Sequence, residues 1–213
     1  MVGNLPSVKT DFKYKDKLLE LSGQEDIPIE WRNTPIEALI MAQNFGWPIS
    51  ATTEPKVLIV SCIEARYQPP IPRMYAYVIR RASGRLVGSE FSAGYVLSKG
   101  VEHLVLVGHN DCGMVKVHEA APQVVDALVR QGWSRQAAQK FVEHYVQRHS
   151  ISDELGALEA EYRRLSHIFH RLTIAPLFVS LFDNKLYIPK FYFEKSNIEY
   201  SGITNEEISK LMN

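Results

Sequence analysis

Cysteine is scarce. The 213-residue chain has two, Cys62 and Cys112, too few to staple a small disulfide scaffold. A surplus of one charge is missing as well: 24 Lys and Arg balance 24 Asp and Glu, whereas a nucleic-acid binder carries a basic excess. No apolar run approaches the length of a membrane span, and the first seven residues hold no basic segment leading into an apolar one. A cytoplasmic protein with no membrane span and no nucleic-acid partner is therefore expected. With only 12 Gly and 11 Pro against 46% hydrophobic residues, disorder and collagen-like readings are set aside. Repeats, charge blocks and Gly/Ser linkers are lacking too. The expectation is one domain overall, with an N-terminal helical arm over 1–50 and an α/β body over 51–213.

What is present alternates. An amphipathic piece surrounds Leu18 and Leu19. A helix start is written at Thr34-Pro35-Ile36-Glu37, where Thr34 can cap, Pro35 fits the first turn and Glu37 can bond back to the cap. That helix is expected to end near Gly46, before Pro48. Continuous β-branched and apolar runs at 57–60, 75–79, 104–107 and 174–182 read as strands covered on both faces. A turn at Asp183-Asn184-Lys185 leads to a short edge strand at 186–188. Helical patterns fill 90–99, 123–130, 135–148 and 153–171. The alternation predicts a mainly parallel β-sheet flanked by helices, and such sheets hold ligands beyond the carboxyl ends of their strands.

Both cysteines fall at such ends. One segment reads Ser61-Cys62-Ile63-Glu64-Ala65-Arg66, the other Gly108-His109-Asn110-Asp111-Cys112-Gly113-Met114. Two thiolates and an imidazole are a borderline-soft set suited to zinc, and three protein ligands leave a fourth position open, as in catalytic sites.

These two segments resemble the signatures of the β-class carbonic anhydrases, Cys-x-Asp-Ser-Arg after one strand and His-x-x-Cys after a later one. The similarity runs from about Val57 to Met114 and returns weakly over 178–183. It implies one Zn2+ per chain held by Cys62, His109 and Cys112, and an acid–Arg pair, Glu64 and Arg66, that orients water. It implies reversible hydration of CO2 to bicarbonate and assembly as a homodimer or a multiple of dimers. The sequence departs from the pattern at Glu64 for Asp, Ala65 for Ser and Asn110 for Thr. The loop Arg81-Ala82-Ser83-Gly84 differs as well, and the interval between Cys62 and His109 is shorter. Two alternatives stay open: carbonyl sulfide or carbon disulfide as the electrophile, and a zinc-binding structural or interaction protein with impaired catalysis. Because Glu is longer than Asp by a methylene, Glu64 either pairs with Arg66 or reaches the metal and blocks it. The Pro-rich stretch 68–72 reads as an extended loop at the site entrance.

Other histidines weigh less. His167 and His170, or His144 and His149, lack a third ligand for a second metal site. His118 has a suitable ordinary pKa for proton shuttling but no placement from sequence. Phe191-Tyr192-Phe193 reads as packing. Gly84 and Gly88 fit no dinucleotide fingerprint.

Overall fold

The structure is a computed structural model that describes residues 13–194; the remainder of the expected arm, 1–12, and residues 195–213 lie outside the described residues. In chain order the elements are β1 (Leu18–Leu19), α1 (Pro35–Phe45), β2 (Val57–Ser61), β3 (Ala76–Arg80), α2 (Glu90–Leu97), β4 (His103–His109), α3 (Val117–Arg130), α4 (Arg135–His149), α5 (Glu154–Ile168), β5 (Thr173–Val179) and β6 (Leu186–Pro189).

The six strands form one sheet in the order β1-β6-β5-β4-β2-β3. Strands β3, β2, β4 and β5 run parallel, while β6 returns antiparallel beside β5 and β1 antiparallel beside β6. The mainly parallel α/β architecture read from the sequence is what the chain adopts.

Residue parity sets the two core layers. Val57, Ile59, Val105, Val107, Ala175, Leu177 and Val179 face the layer that holds Trp31, Ile36, Leu39 and Ile40. Their even-numbered neighbours Leu58, Val60, Leu104, Leu106, Ile174 and Phe178 face Ala93, Val96, Leu155, Leu158 and Leu165. Each fully buried Leu, Ile or Val side chain contributes roughly 1.5–3 kcal/mol, so β2 and β4, buried on both faces, anchor the sheet. The strand ends that carry the cysteines are therefore held on the most rigid part of the molecule.

Helix α1 starts where its sequence says. Thr34 Oγ1 accepts from the Ile36 N–H at 3.1 Å, and Gly46 closes the helix at φ 71°. Glu37 bonds back one residue earlier than a capping box would, accepting from the Asn33 N–H at 2.6 Å. The piece around Leu18 is a short 3-10 turn and then β1, with Leu18 opposite Pro189, because pairing with the β6 edge buries Leu18.

The α3 boundary also differs. The helix begins at Val117 rather than 123 and carries Pro122 inside it. Pro122 is the sixth helical residue, past the first turn, where it removes one helix N–H, and the helix nevertheless continues through it. Together α3 and α4 form a hairpin with its own small cluster, Val117, Val125, Ala138, Val142 and Val146. No helix of the described residues is long and apolar enough to cross a membrane.

Candidate metal centre

Parallel register brings two strand ends side by side. Ser61, the last residue of β2, pairs with Val107 of β4, so Cys62 and His109 emerge from neighbouring strands at the same edge of the sheet. After His109 the chain turns sharply, with Asp111 in the left-handed region at φ 56°, and this turn delivers Cys112. The loop after β3 closes from the other side. Its Gly84 has φ +67°, and a side chain there would put its Cβ 3.2 Å from the Cys62 backbone nitrogen. Only glycine suits both the conformation and that approach.

Cys62, His109 and Cys112 are thus brought together, all buried, with the two sulfurs and a His109 ring nitrogen within 4.8 Å of one another. The sulfurs stand 3.9 Å apart and both thiols are free. A disulfide needs about 2.05 Å. Two sulfurs each about 2.3 Å from a tetrahedral zinc would stand about 3.8 Å apart. His109 Nδ1 pairs with the Asn110 carbonyl at 2.9 Å, so it carries the proton and leaves Nε2 as the lone-pair nitrogen. Nε2 is buried and has no hydrogen-bond partner. An orphaned ring nitrogen facing two sulfurs at this separation fits a soft divalent cation, and the group could hold one.

Electrostatics split the cysteines. The Cys62 thiol is pulled down to about 4, first by the Cys112 thiol beside it and then, against burial, by His109 and the Ser83 amide. Cys112 moves up, first because Cys62 takes the charge and then by burial. Burial pulls His109 down, but the Cys62 sulfur and the Asn110 carbonyl outweigh it, and its pKa is raised.

Glu64 and Arg66 lie beside this group. Arg66 Nε donates to Glu64 Oε1 at 2.8 Å and Nη2 to Oε2 at 2.7 Å, while its own backbone N–H adds a third bond to Oε1 at 2.8 Å. Arg66 holds the Glu64 carboxyl at about 2, well below the usual range. Of the two geometries expected for Glu64, the structure has the paired one, and Glu64 is not part of the metal-type cluster. Arg66 Nη1 also donates to Asp111 Oδ2 at 2.7 Å, joining the two motif segments.

Three residues of the site had no role assigned from the sequence. Arg80, at the end of β3, donates to the Cys62, Glu64 and Tyr67 carbonyls at 3.1, 2.6 and 2.8 Å and so shapes the loop that carries Glu64. A charged residue closing an apolar strand beside β2 was the available signal. Asn110 Oδ1 accepts from the Leu181 N–H at 2.7 Å, tying the His109 turn to the segment after β5. Glu154 Oε1 accepts from the Cys112 N–H at 3.2 Å, and nothing local in its sequence marks it.

The remaining candidates separate from the centre. Residues 68–72 have no regular structure, and Ile71 packs on the core. His118 lines a cavity of about 470 Å³ between α3 and α4. Among the described residues, His144, His149, His167 and His170 join no group of three metal-type side chains. Tyr192 is buried against Trp31, with ring centroids 4.5 Å apart, as the packing reading expects.

No family model matches the chain, and no curated protein sequence matches it. Solved structures do. A β-carbonic anhydrase from Trichomonas vaginalis aligns over 66% of this chain and 86% of its own, with 17% identity and a TM-score of 0.52. A carbonic anhydrase from Glaciozyma antarctica aligns over 63% and 83% with 22% identity and a TM-score of 0.49. The apo form of a carbon disulfide hydrolase aligns over 71% and 88% with 16% identity and a TM-score of 0.48. The Trichomonas alignment shows a shared fold.

Proposed function

We propose that the chain is a zinc enzyme of the β-carbonic anhydrase type, with Cys62, His109 and Cys112 as the metal ligands and Glu64 and Arg66 as the catalytic pair. The observation that carries this reading is the buried, unpartnered His109 Nε2 facing two free sulfurs 3.9 Å apart. The shared fold supports it, as does the position of the group at the carboxyl ends of β2 and β4. Zinc, when bound, supplies a Lewis acid that makes water nucleophilic near neutral pH.

The chain's own residues do the rest. Arg66 keeps Glu64 ionised and fixes its plane by two parallel bonds. Glu64 Oε2 accepts one bond and keeps a lone pair, with which it orients water toward the carbon of CO2. One C–O bond forms, one C=O π bond opens, and a proton leaves to solvent with bicarbonate as product. Burial of the two sulfurs and the imidazole strengthens the electrostatics inside the site.

The test is stopped-flow CO2 hydration by the zinc-loaded protein, run beside sulfide release from carbonyl sulfide and carbon disulfide. Hydration that is lost in Cys112→Ala supports the reading. Sulfide release without hydration moves the assignment to the sulfur-containing electrophiles, and inactivity toward all three leaves a zinc-binding structural protein.

Assembly and compartment follow as parts of the same proposal. The outer edge strand β3 leaves Val78 44% exposed on one face of the sheet, and α2 on the other face leaves Phe91 88% exposed; an open strand edge with exposed apolar groups on either face suits a second copy in a two-fold dimer. Light scattering that finds an active monomer at micromolar concentration contradicts it. A pair of thiols kept free for a metal is usual of reducing compartments, and the cytoplasm is the compartment proposed. The 1–50 segment and the 51–213 body are read as parts of one domain.

A further inference from the structure

Glu154 is the first residue of α5, where a carboxylate ordinarily serves the helix terminus. That terminus is already served: Asp153 caps it, with Oδ1 accepting from the Gly156 N–H at 2.7 Å. The Glu154 side chain turns the other way, into the protein, and is only 10% exposed. Its Oε1 accepts the Cys112 N–H at 3.2 Å. Its Oε2 accepts from the Tyr14 hydroxyl, and that hydroxyl in turn accepts from the Glu154 N–H at 3.3 Å. Tyr14 is itself buried, edge-on to Phe178 with ring centroids 5.3 Å apart. Among the described residues Lys13 stands 3.7 Å from Glu154 Oε2, on a side chain 67% exposed, too loose to compensate a buried charge fully.

A neutral amide oxygen would satisfy the Cys112 N–H at far smaller desolvation cost than a carboxylate. The carboxylate therefore calls for a purpose, and it is bonded to the backbone N–H of Cys112, whose sulfur belongs to the candidate centre. We infer that Glu154, with Tyr14 behind it, is a positioning residue of the Cys–His–Cys centre: it anchors the Cys112 amide and adds a negative charge that draws in a divalent cation. The inference rests on the proposed metal-centre reading. The same charge also attracts a proton to the Cys112 sulfur, but a divalent cation carries twice that charge and gains more. Through Tyr14 the segment before β1 becomes part of the centre's support, although it contributes no ligand.

Glu154→Gln tests this, because its amide oxygen keeps an acceptor for the Cys112 N–H while the charge is removed, and Tyr14, then facing the amide nitrogen, turns from donor to acceptor. Zinc affinity, read by competition with a chromophoric chelator, is expected to fall about tenfold or more, the size typical of residues that support a ligand. The thiolate-to-cobalt charge-transfer absorption of the Co2+-loaded protein is expected to shift. Tyr14→Phe, which keeps the ring against Phe178, is expected to lower affinity by a smaller factor. Wild-type metal uptake together with an unchanged affinity and spectrum in Glu154→Gln overturns the inference alone. A wild-type protein that takes up neither metal overturns both this inference and the proposed function. Should Glu154→Gln fail to fold, Tyr14→Phe decides, and an affinity equal to wild type there overturns the inference.

Discussion

The two cysteines of the centre stand on flanks of opposite character. Cys62 is held on a cationic side: Arg80 grips the carbonyls of its loop, Arg66 fixes Glu64, and Arg81 and Arg85 follow on the loop whose Ser83 amide lowers the Cys62 thiol. Cys112 is held on an anionic side, by the Glu154 carboxylate at its amide and Asp111 next to it in sequence. One flank holds its loop by donating to carbonyls, the other by accepting from an amide. The Cys62 thiol is lowered and the Cys112 thiol raised, first through the contact of the two sulfurs with each other. Two chemically identical side chains are thus held by backbone partners of opposite character. It also means that damage to the two flanks should look different.

The largest effect expected is loss of the centre itself. Removing either sulfur leaves two donors where three are needed for an open tetrahedral site, so Cys62→Ala and Cys112→Ala should each lose stoichiometric zinc by metal analysis. Full occupancy in the double variant would break the comparison at its root.

Next come the arginines, which separate stability from turnover. Arg80 makes three part-buried hydrogen bonds to backbone carbonyls, and Arg80→Met should cost at least about 3 kcal/mol in urea unfolding, since buried bonds from a charged donor contribute about 1.5–3 kcal/mol each and partial exposure reduces that sum. Arg66 is 53% exposed, so Arg66→Met should cost less than about 1 kcal/mol of stability while hydration falls sharply. Equal losses of stability would erase the distinction between a loop clamp and a catalytic partner. Glu64→Asp belongs to the same series. The shorter carboxylate cannot keep all three bonds that Arg66 now gives Glu64, and a displacement near 1 Å is expected to lower turnover on the order of 100-fold with zinc content unchanged. A gain in that variant would show instead that the paired geometry of Glu64 misplaces its carboxylate.

The contrast between the flanks also shows what a sequence can disclose. Cys62, His109 and Cys112 were legible because each follows an unbroken apolar strand by at most a few residues, and a parallel register must bring such ends together. Glu64 and Arg66 came as a pair from the family resemblance, but which of two geometries Glu64 takes was not legible, because side-chain reach depends on the loop path that Arg80 helps to hold. Glu154 and Tyr14 were invisible for a different reason. They lie 42 and 140 residues from their partners, and only the packing of α5 and of the first described segment against the sheet brings them in. The 3-10 turn and two-residue strand near Leu18 were hidden likewise, since β1 exists only through its pairing with β6.

The smallest expected effect tests the cationic flank by pH. His149, at the end of α4, has a pKa lowered from the usual 6.5, first by burial and then by Arg81, Arg85 and Arg148, against a hydrogen bond with the Ala82 backbone that raises it. The Tyr145 ring stacks beside it, centroids 6.1 Å apart. The sign follows from proton counts. Between the lowered folded value and 6.5 the unfolded chain binds the proton better, so stability rises with pH in that window. Above about pH 6.5 both states are neutral at this site and the contribution vanishes; as pH falls below 6.5 the folded state loses ground until His149 is protonated in both. Urea midpoints of wild type and His149→Gln, compared from pH 5.5 to 7.5, should converge at the top of that range. Toward the bottom, the wild type should decline more steeply than the variant. Arg85→Gln should soften the wild-type decline by removing one of the three like charges, whereas a substitution on the anionic flank such as Glu154→Gln should leave that local slope difference in place. Parallel pH profiles for wild type and His149→Gln would show that the arginines around the 81–85 loop do not act on this imidazole, and the cationic flank would then reduce to the hydrogen bonds of Arg80 and Arg66.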